Sequence, residues 1–146
     1  MKLSTRTRYA MRAMLELAAN RSNAPLQTKV IARDQCISAK YLEQLMSALK
    51  TNGLVRSIRG AKGGYVLAKA AEQIKLNDIF ICLEGPVIIT ECIESEDSCS
   101  RTAECVTRGV WRQLQNAVTE ILESTTLQDL VDRARANEAE ALDYQI

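Results

Sequence analysis

Two short β-like runs, Leu54 to Ile58 and Tyr65 to Leu67, flank the six residues Arg59-Gly60-Ala61-Lys62-Gly63-Gly64. Glycine-rich, basic and placed between alternating apolar segments, these six define a β-hairpin with a long tip. What precedes them limits the folds available. Ala10, Ala13, Met14, Leu17 and Ala18 recur at helical spacing, which predicts a helix from about Thr5 to Ala19. The polar stretch Asn20 to Pro25 reads as a loop, and Thr28 then suits the N-cap of a short helix running from Lys29 to about Gln35. Ser38 is the next N-cap, opening a helix to Thr51 or Asn52 whose apolar stripe is Leu42, Leu45, Met46 and Leu49. Asn52-Gly53 supplies residues that tolerate the left-handed helix stop. Helix, short helix, turn, helix and hairpin is the order of a winged helix-turn-helix. The expected class is mainly α with a small β-hairpin wing.

Charge divides the chain along the same line. Residues 1–69 hold thirteen Lys or Arg against three acids, whereas residues 70–146 hold six against fifteen. The total of +1 therefore conceals a basic half of +10 and an acidic half of −9. A basic half of this kind suits a polyanionic partner. Opposite the apolar stripe of the third helix stand Lys40, Tyr41, Glu43, Gln44 and Ser47, types that reach base edges and phosphates. Thr28 and Ser38, at the mouths of the two helices, join that set. Glu43 would be tolerated where a cytosine amino group meets it, which makes it a specificity filter. A solvated helix face also looks polar, so the hairpin decides. Arg59 and Lys62 on a glycine-rich tip suit entry into a narrow minor groove. No helix follows these glycines as a phosphate-cradling loop would require. The partner expected is double-stranded DNA.

The acidic half begins with a short helix, expected from an Asn77 cap through Leu83. Residues 85–105 lack a sustained period and read as a loop. A long helix is expected from about Thr102 to Leu122, with Val110, Leu114, Ala117, Val118 and Ile121 on one face. Thr126 with Asp129 resembles a capping box that opens a last helix, and the tail, residues 132–146, is expected to fray from Asn137 onward.

Five cysteines stand at 36, 82, 92, 99 and 105, and there is no histidine. Lack of histidine excludes His-based acid–base catalysis and imidazole ligation within the chain, and no acid–base pair or substrate motif suggests an enzyme. No apolar run approaches a membrane span, and charges interrupt any signal-peptide core, so a cytoplasmic protein is expected. In that compartment clustered cysteines point to metal or redox chemistry rather than to structural disulfides. Cys92, Cys99 and Cys105 could turn thiolates toward one point from a loop and a helix mouth. Their spacing matches neither zinc ribbons nor ferredoxin runs, so an iron–sulfur cluster and three free redox thiols both stand. Cys82 continues the apolar stripe of Ile79 and Leu83, and it is read, with Cys36, as structural.

Arg8-Tyr9-Ala10, Tyr41-Leu42-Glu43-Gln44-Leu45, Asn52-Gly53-Leu54-Val55 and Arg59-Gly60 with Gly63-Gly64-Tyr65 together resemble the Rrf2 family of bacterial winged-helix regulators. The likeness spans about residues 1–131, with Trp111, Thr126-Leu127 and Leu130-Val131 in the later helices, and it is nearest to the family's iron–sulfur branch. It implies a homodimer joined through the long helix, a pseudo-palindromic operator and a DNA-binding part over 1–69. Within that part it implies a helix-turn-helix over about 28–51 and a wing over 54–67. It further implies a sensor loop over 85–105, with a cluster on Cys92, Cys99 and Cys105. Where that branch carries a histidine ligand, this chain has Arg108, and its first two cysteines stand one residue further apart. A carboxylate or an exchangeable fourth ligand would leave a labile cluster, with 2Fe-2S preferred to 4Fe-4S. The glycine common at the family's turn is Cys36 here, which places backbone strain there. The expectation is a transcription regulator controlled by that cluster. The alternative within the family is a cluster-free thiol-responsive repressor, and those outside it are an iron–sulfur carrier and a zinc-stabilised interaction module.

Overall fold

The Ser4 hydroxyl accepts the Thr7 amide at 3.1 Å and so opens α1, Thr5–Ala19. In the computed structural model, which describes residues 2–144, Ala10, Ala13, Met14 and Leu17 of this helix are buried. Helix α2 spans Thr28–Gln35 and α3 spans Ala39–Thr51. Ser38 caps α3 as expected, its hydroxyl accepting the Tyr41 amide at 3.1 Å. Thr28 is not a cap. It is the first residue of α2, and Gln27 takes the N-cap position. The cause lies upstream, where Leu26 and Tyr65 exchange backbone hydrogen bonds at 3.0 and 2.8 Å. That bridge fixes Leu26 in extended geometry, and helical turning starts one residue sooner.

Cys36 closes α2 in the left-handed conformation, with φ of 54°, and its amide donates to the last carbonyls of the helix. The wing is an antiparallel pair, β1 (Val55–Ile58) and β2 (Gly64–Leu67), in the register Val55 to Leu67 and Ile58 to Gly64. Leu54, expected in the first strand, lies just before it and is buried.

The core crosses the charge boundary. Ile74, Ile79, Leu83 and Leu127, all from the acidic half, share one buried cluster with Met14, Ile31, Leu42 and Leu49. The boundary near residue 69 is therefore a boundary of surface charge, and the two halves fold on one apolar centre. Helix α4 spans Leu76–Glu84 and is capped at Lys75 rather than at Asn77. The Asp78 carboxylate accepts the Lys75 amide at 2.9 Å. Residues 85–105 are not wholly irregular. They contain a one-turn helix α5, Glu91–Glu94, and a 3-10 turn, Glu96–Ser98.

Helix α6, Val106–Ser124, starts after Thr102 because residues 101–104 form hydrogen-bonded turns and Cys105 serves as N-cap. Thr126 and Asp129 cap α7, Leu127–Asp143, through reciprocal bonds of 3.1 and 2.7 Å. The tail does not fray at Asn137. Ala136, Glu138, Ala139, Glu140 and Ala141 are strong helix formers that carry α7 on into solvent. Residues 145 and 146 of the expected tail lie outside the described residues. No helix among the described residues is long and apolar enough to cross a membrane.

Candidate nucleic-acid interface and cysteine segment

Burial of Leu42, Leu45, Met46 and Leu49 fixes the rotation of α3. Lys40, Glu43, Gln44 and Ser47 are thereby exposed, and Ser38 is exposed at the helix mouth. Tyr41 sits differently. It is half-buried, its ring edge-on to Tyr9 with centroids 6.2 Å apart, and the Arg12 guanidinium lies 5.6 Å from the Tyr9 centroid. Tyr41 thus packs α3 against α1, leaving its outer edge for a partner. Thr28 is half-buried at the start of α2. Arg59 and Lys62 are exposed at the wing tip, with Arg56 exposed on β1. Lys29 and Arg33 extend the basic surface along α2, although Arg33 pairs with Asp34 at 2.8 Å.

Two glycines hold the wing in place. A Cβ on Gly64 would stand 2.3 Å from the Leu26 carbonyl oxygen, and one on Gly63 would stand 2.1 Å from that of Ile58. Only glycine allows both approaches. The Gln27 side chain also donates, through its Nε2, to the Ala61 carbonyl at 3.4 Å. The tip is thus tied to the start of the helix-turn-helix.

A network on the other side of α2 gave no sequence signal. Arg12 donates to the Gln35 side chain at 2.9 Å and to its carbonyl at 2.7 Å, while Gln35 donates to Glu16 at 2.6 Å. It braces α1 against α2, and nothing in the spacing of these residues announces it.

In the cysteine segment the Cys92 and Cys105 thiols stand on separate partners. Among the described residues no three Cys, Asp or Glu side chains converge on one point. The Cys92 thiol faces the Thr90 hydroxyl at 3.1 Å, the Cys105 thiol faces the Thr107 hydroxyl at 3.2 Å, and Cys99 is exposed. The Thr107 hydrogen bond, seconded by the Arg108 amide, draws the Cys105 thiol below the ordinary range. A guanidinium also occupies this region, that of Arg108, which offers donors and no acceptor, and its Nε donates to the Cys92 carbonyl at 2.9 Å. The expected donor set of Cys92, Cys99 and Cys105 is therefore not assembled in this arrangement. Cys82 matches its structural reading. Half-buried, it donates to the Ala48 carbonyl at 3.5 Å, and burial raises its pKa. Cys36 is exposed, so its role is in the backbone rather than in packing.

Helix α6 buries none of its residues within the chain. Val106 is 87% and Ile121 63% exposed, and Val110, Trp111 and Leu114 are exposed between them. An uncovered apolar face of that length marks an interaction surface.

An exposed polar recognition helix beside a basic wing, carried with a long uncovered apolar helix, defines a winged-helix DNA-binding regulator. Residues 3–133 match the Rrf2 family, described as an iron-dependent transcriptional regulator. The HTH-type transcriptional regulator CymR of Bacillus subtilis is 44% identical over 130 residues, which cover 89% of each chain. The HTH-type transcriptional regulator IscR of Cronobacter sakazakii is 39% identical over 132 residues, 90% of this chain and 81% of that one. The solved structure of CymR, described as the global cysteine regulator of B. subtilis, superposes with a TM-score of 0.80 at 41% identity. That match covers 91% of this chain and 98% of the other. The chain belongs to the Rrf2 family of transcriptional regulators.

Proposed function

We propose that this protein is a homodimeric, sequence-specific DNA-binding regulator whose affinity for DNA is set by the cysteine segment over 85–105. The observation that carries the reading is the joint exposure of Lys40, Glu43, Gln44 and Ser47 on α3 beside Arg59 and Lys62 on a tied wing. Ser38 and Thr28 stand at the helix mouths to meet phosphates, and the outer edge of Tyr41 completes the surface. Base edges are read by α3 in the major groove and groove width by the wing. Two copies joined along α6 present two such heads, which suits a pseudo-palindromic operator. The family assignment supports a regulator rather than a catalyst, working in the cytoplasm. Residues 1–131 form the regulator domain, and the acidic turns of α7 beyond it make no contribution to the DNA face.

The cysteine segment has two chemical readings. In one, an iron–sulfur cluster, 2Fe-2S in preference to 4Fe-4S, rests on Cys92, Cys99 and Cys105, and the family's description as iron-dependent supports it. In the other, the thiols respond without a cluster. The pairing of the Cys92 and Cys105 thiols with separate hydroxyls, those of Thr90 and Thr107, supports the second.

The tests are direct. Selection from a random duplex pool should enrich a two-fold related site; enrichment of nothing would overturn the DNA reading. Anaerobic purification with a visible spectrum and iron, sulfide and zinc analysis separates the two chemistries. Stoichiometric iron and sulfide, lost on replacing any one of Cys92, Cys99 or Cys105, establishes the cluster. Metal-free protein whose operator affinity changes on thiol oxidation establishes the thiol sensor.

A further inference from the structure

The last buried apolar residue before Cys92 is Val87, five positions earlier. None of the residues of α5 or of the 3-10 turn after it is buried. From there on, polar ties to α6 hold the segment. The Gln115 side chain accepts the Ile89 amide at 3.0 Å. Seven residues earlier, the Arg108 Nε donates to the Cys92 carbonyl at 2.9 Å, and an Nη of the same guanidinium lies 3.4 Å from a Glu96 carboxylate oxygen. Arg108 and Gln115 stand two turns apart on one face of α6, about 10.5 Å along its axis. The segment therefore lies along the helix between two side chains.

Only one of the two is charged, and it is the better shielded of its pair. The Arg108 side chain is 12% exposed, whereas Glu96 is 80% exposed. Shielding strengthens the bond to the carbonyl, while the exposed ion pair adds little. The planar fork of a guanidinium sets its Nε and Nη donors at a fixed spacing, which the single nitrogen of a lysine does not reproduce.

We infer that Arg108 is a clasp. It orders the Cys92 segment against α6 with no metal present, and a change at Cys92 reaches α6 by opening or closing this contact. The inference deepens the reading of residues 85–105 as the regulatory part and rests on it. It makes Arg108 a positioning residue for the thiol, with no role in touching DNA.

The test uses reduced, chelator-treated full-length protein and follows maleimide labelling at each cysteine by mass spectrometry. In Arg108→Ala, Cys92 should label about tenfold faster than in wild type, the scale of one shielded charge-assisted hydrogen bond. Arg108→Lys should label almost as fast, because lysine places a methylene where the Arg108 Nε meets the Cys92 carbonyl. Labelling of the exposed Cys36 and the far-UV circular dichroism should not change. Should Arg108→Ala fail to fold, Arg108→Lys carries the measurement. A Cys92 rate within about twofold of wild type in a folded variant overturns the clasp. So does a wild-type rate that slows only when iron is added. Operator affinity, measured on the same samples, reads the regulatory assignment separately, since labelling needs no DNA.

Discussion

The Thr7 hydroxyl donates to the Glu84 carboxylate at 2.5 Å, across 77 residues of chain. The Ser4 hydroxyl donates to the same oxygen. These bonds fasten the mouth of α1, a pillar of the DNA-binding half, to the last residue of α4. Gly85, which opens the cysteine segment, follows immediately.

That carboxylate makes stability depend on pH. The Ser4 hydrogen bond first, and the Thr7 bond second, hold Glu84 below its usual value of 4.5. A group lowered on folding stabilises the fold above its unfolded pKa and loses that contribution as pH falls through the folded one. Urea midpoints should therefore fall below about pH 4.5, and Glu84→Gln should flatten this acid limb. Thr7→Val, at a buried position, should cost about 1 kcal/mol at pH 7. An acid limb unchanged in Glu84→Gln would assign it to other carboxylates.

Arg59→Ala should weaken operator binding by about 1–3 kcal/mol and lower the slope of affinity against salt. Its exposed place at the tied wing tip is the reason. Gel-shift titration at two salt concentrations checks it. Full affinity with the fold intact would remove the wing from recognition.

Glu43→Ala should act differently. Removing an acid from a DNA-facing helix relieves repulsion, so binding to variant sites should rise while the best site changes little. Competition among single-base variants of the operator measures it. A uniform loss on every site would make Glu43 a structural residue.

Leu114→Glu and Ile121→Glu put a charge on the uncovered face of α6. Sedimentation should show monomers at concentrations where the wild type is dimeric. Operator affinity should drop about a hundredfold, as two linked heads become one. A dimer that persists would place the subunit contact elsewhere.

At Cys36 the left-handed backbone disfavours any side chain. Cys36→Gly should raise stability by about 0.5–1 kcal/mol, and Cys36→Ala should not. Thermal melts of the reduced proteins test this pair, and iron content should be indifferent to both.

What could be read in the sequence was whatever repeats or is local. The periods of α1 and α3, the Ser38 cap and the hairpin around Gly63 and Gly64 depend on neighbours a few residues apart. The Thr126–Asp129 box is of the same kind. Thr28 misled because Leu26 is fixed by Tyr65, a partner 39 positions away that no local pattern reveals. Asp78, rather than Asn77, closes the start of α4 because a carboxylate can reach back to the amide three residues before it. In the cysteine segment, spacing placed three thiols in one stretch but could not say which way each turns. Arg108 marked a departure from the family pattern, yet its reach to Cys92 and Glu96 depends on how the segment folds back over α6.

The stitch between Leu26 and Tyr65 limits how a signal can be sent. Wing and recognition helix share one frame, so an effector has little freedom to swing one against the other. Each head then behaves as a stamp of fixed relief. What would remain adjustable is the gauge between two stamps, set where a pair of α6 helices would meet in the proposed dimer. In the proposed α6-joined dimer, a signal would act by changing the spacing that the pair can match on DNA, while the letters each head reads stay the same.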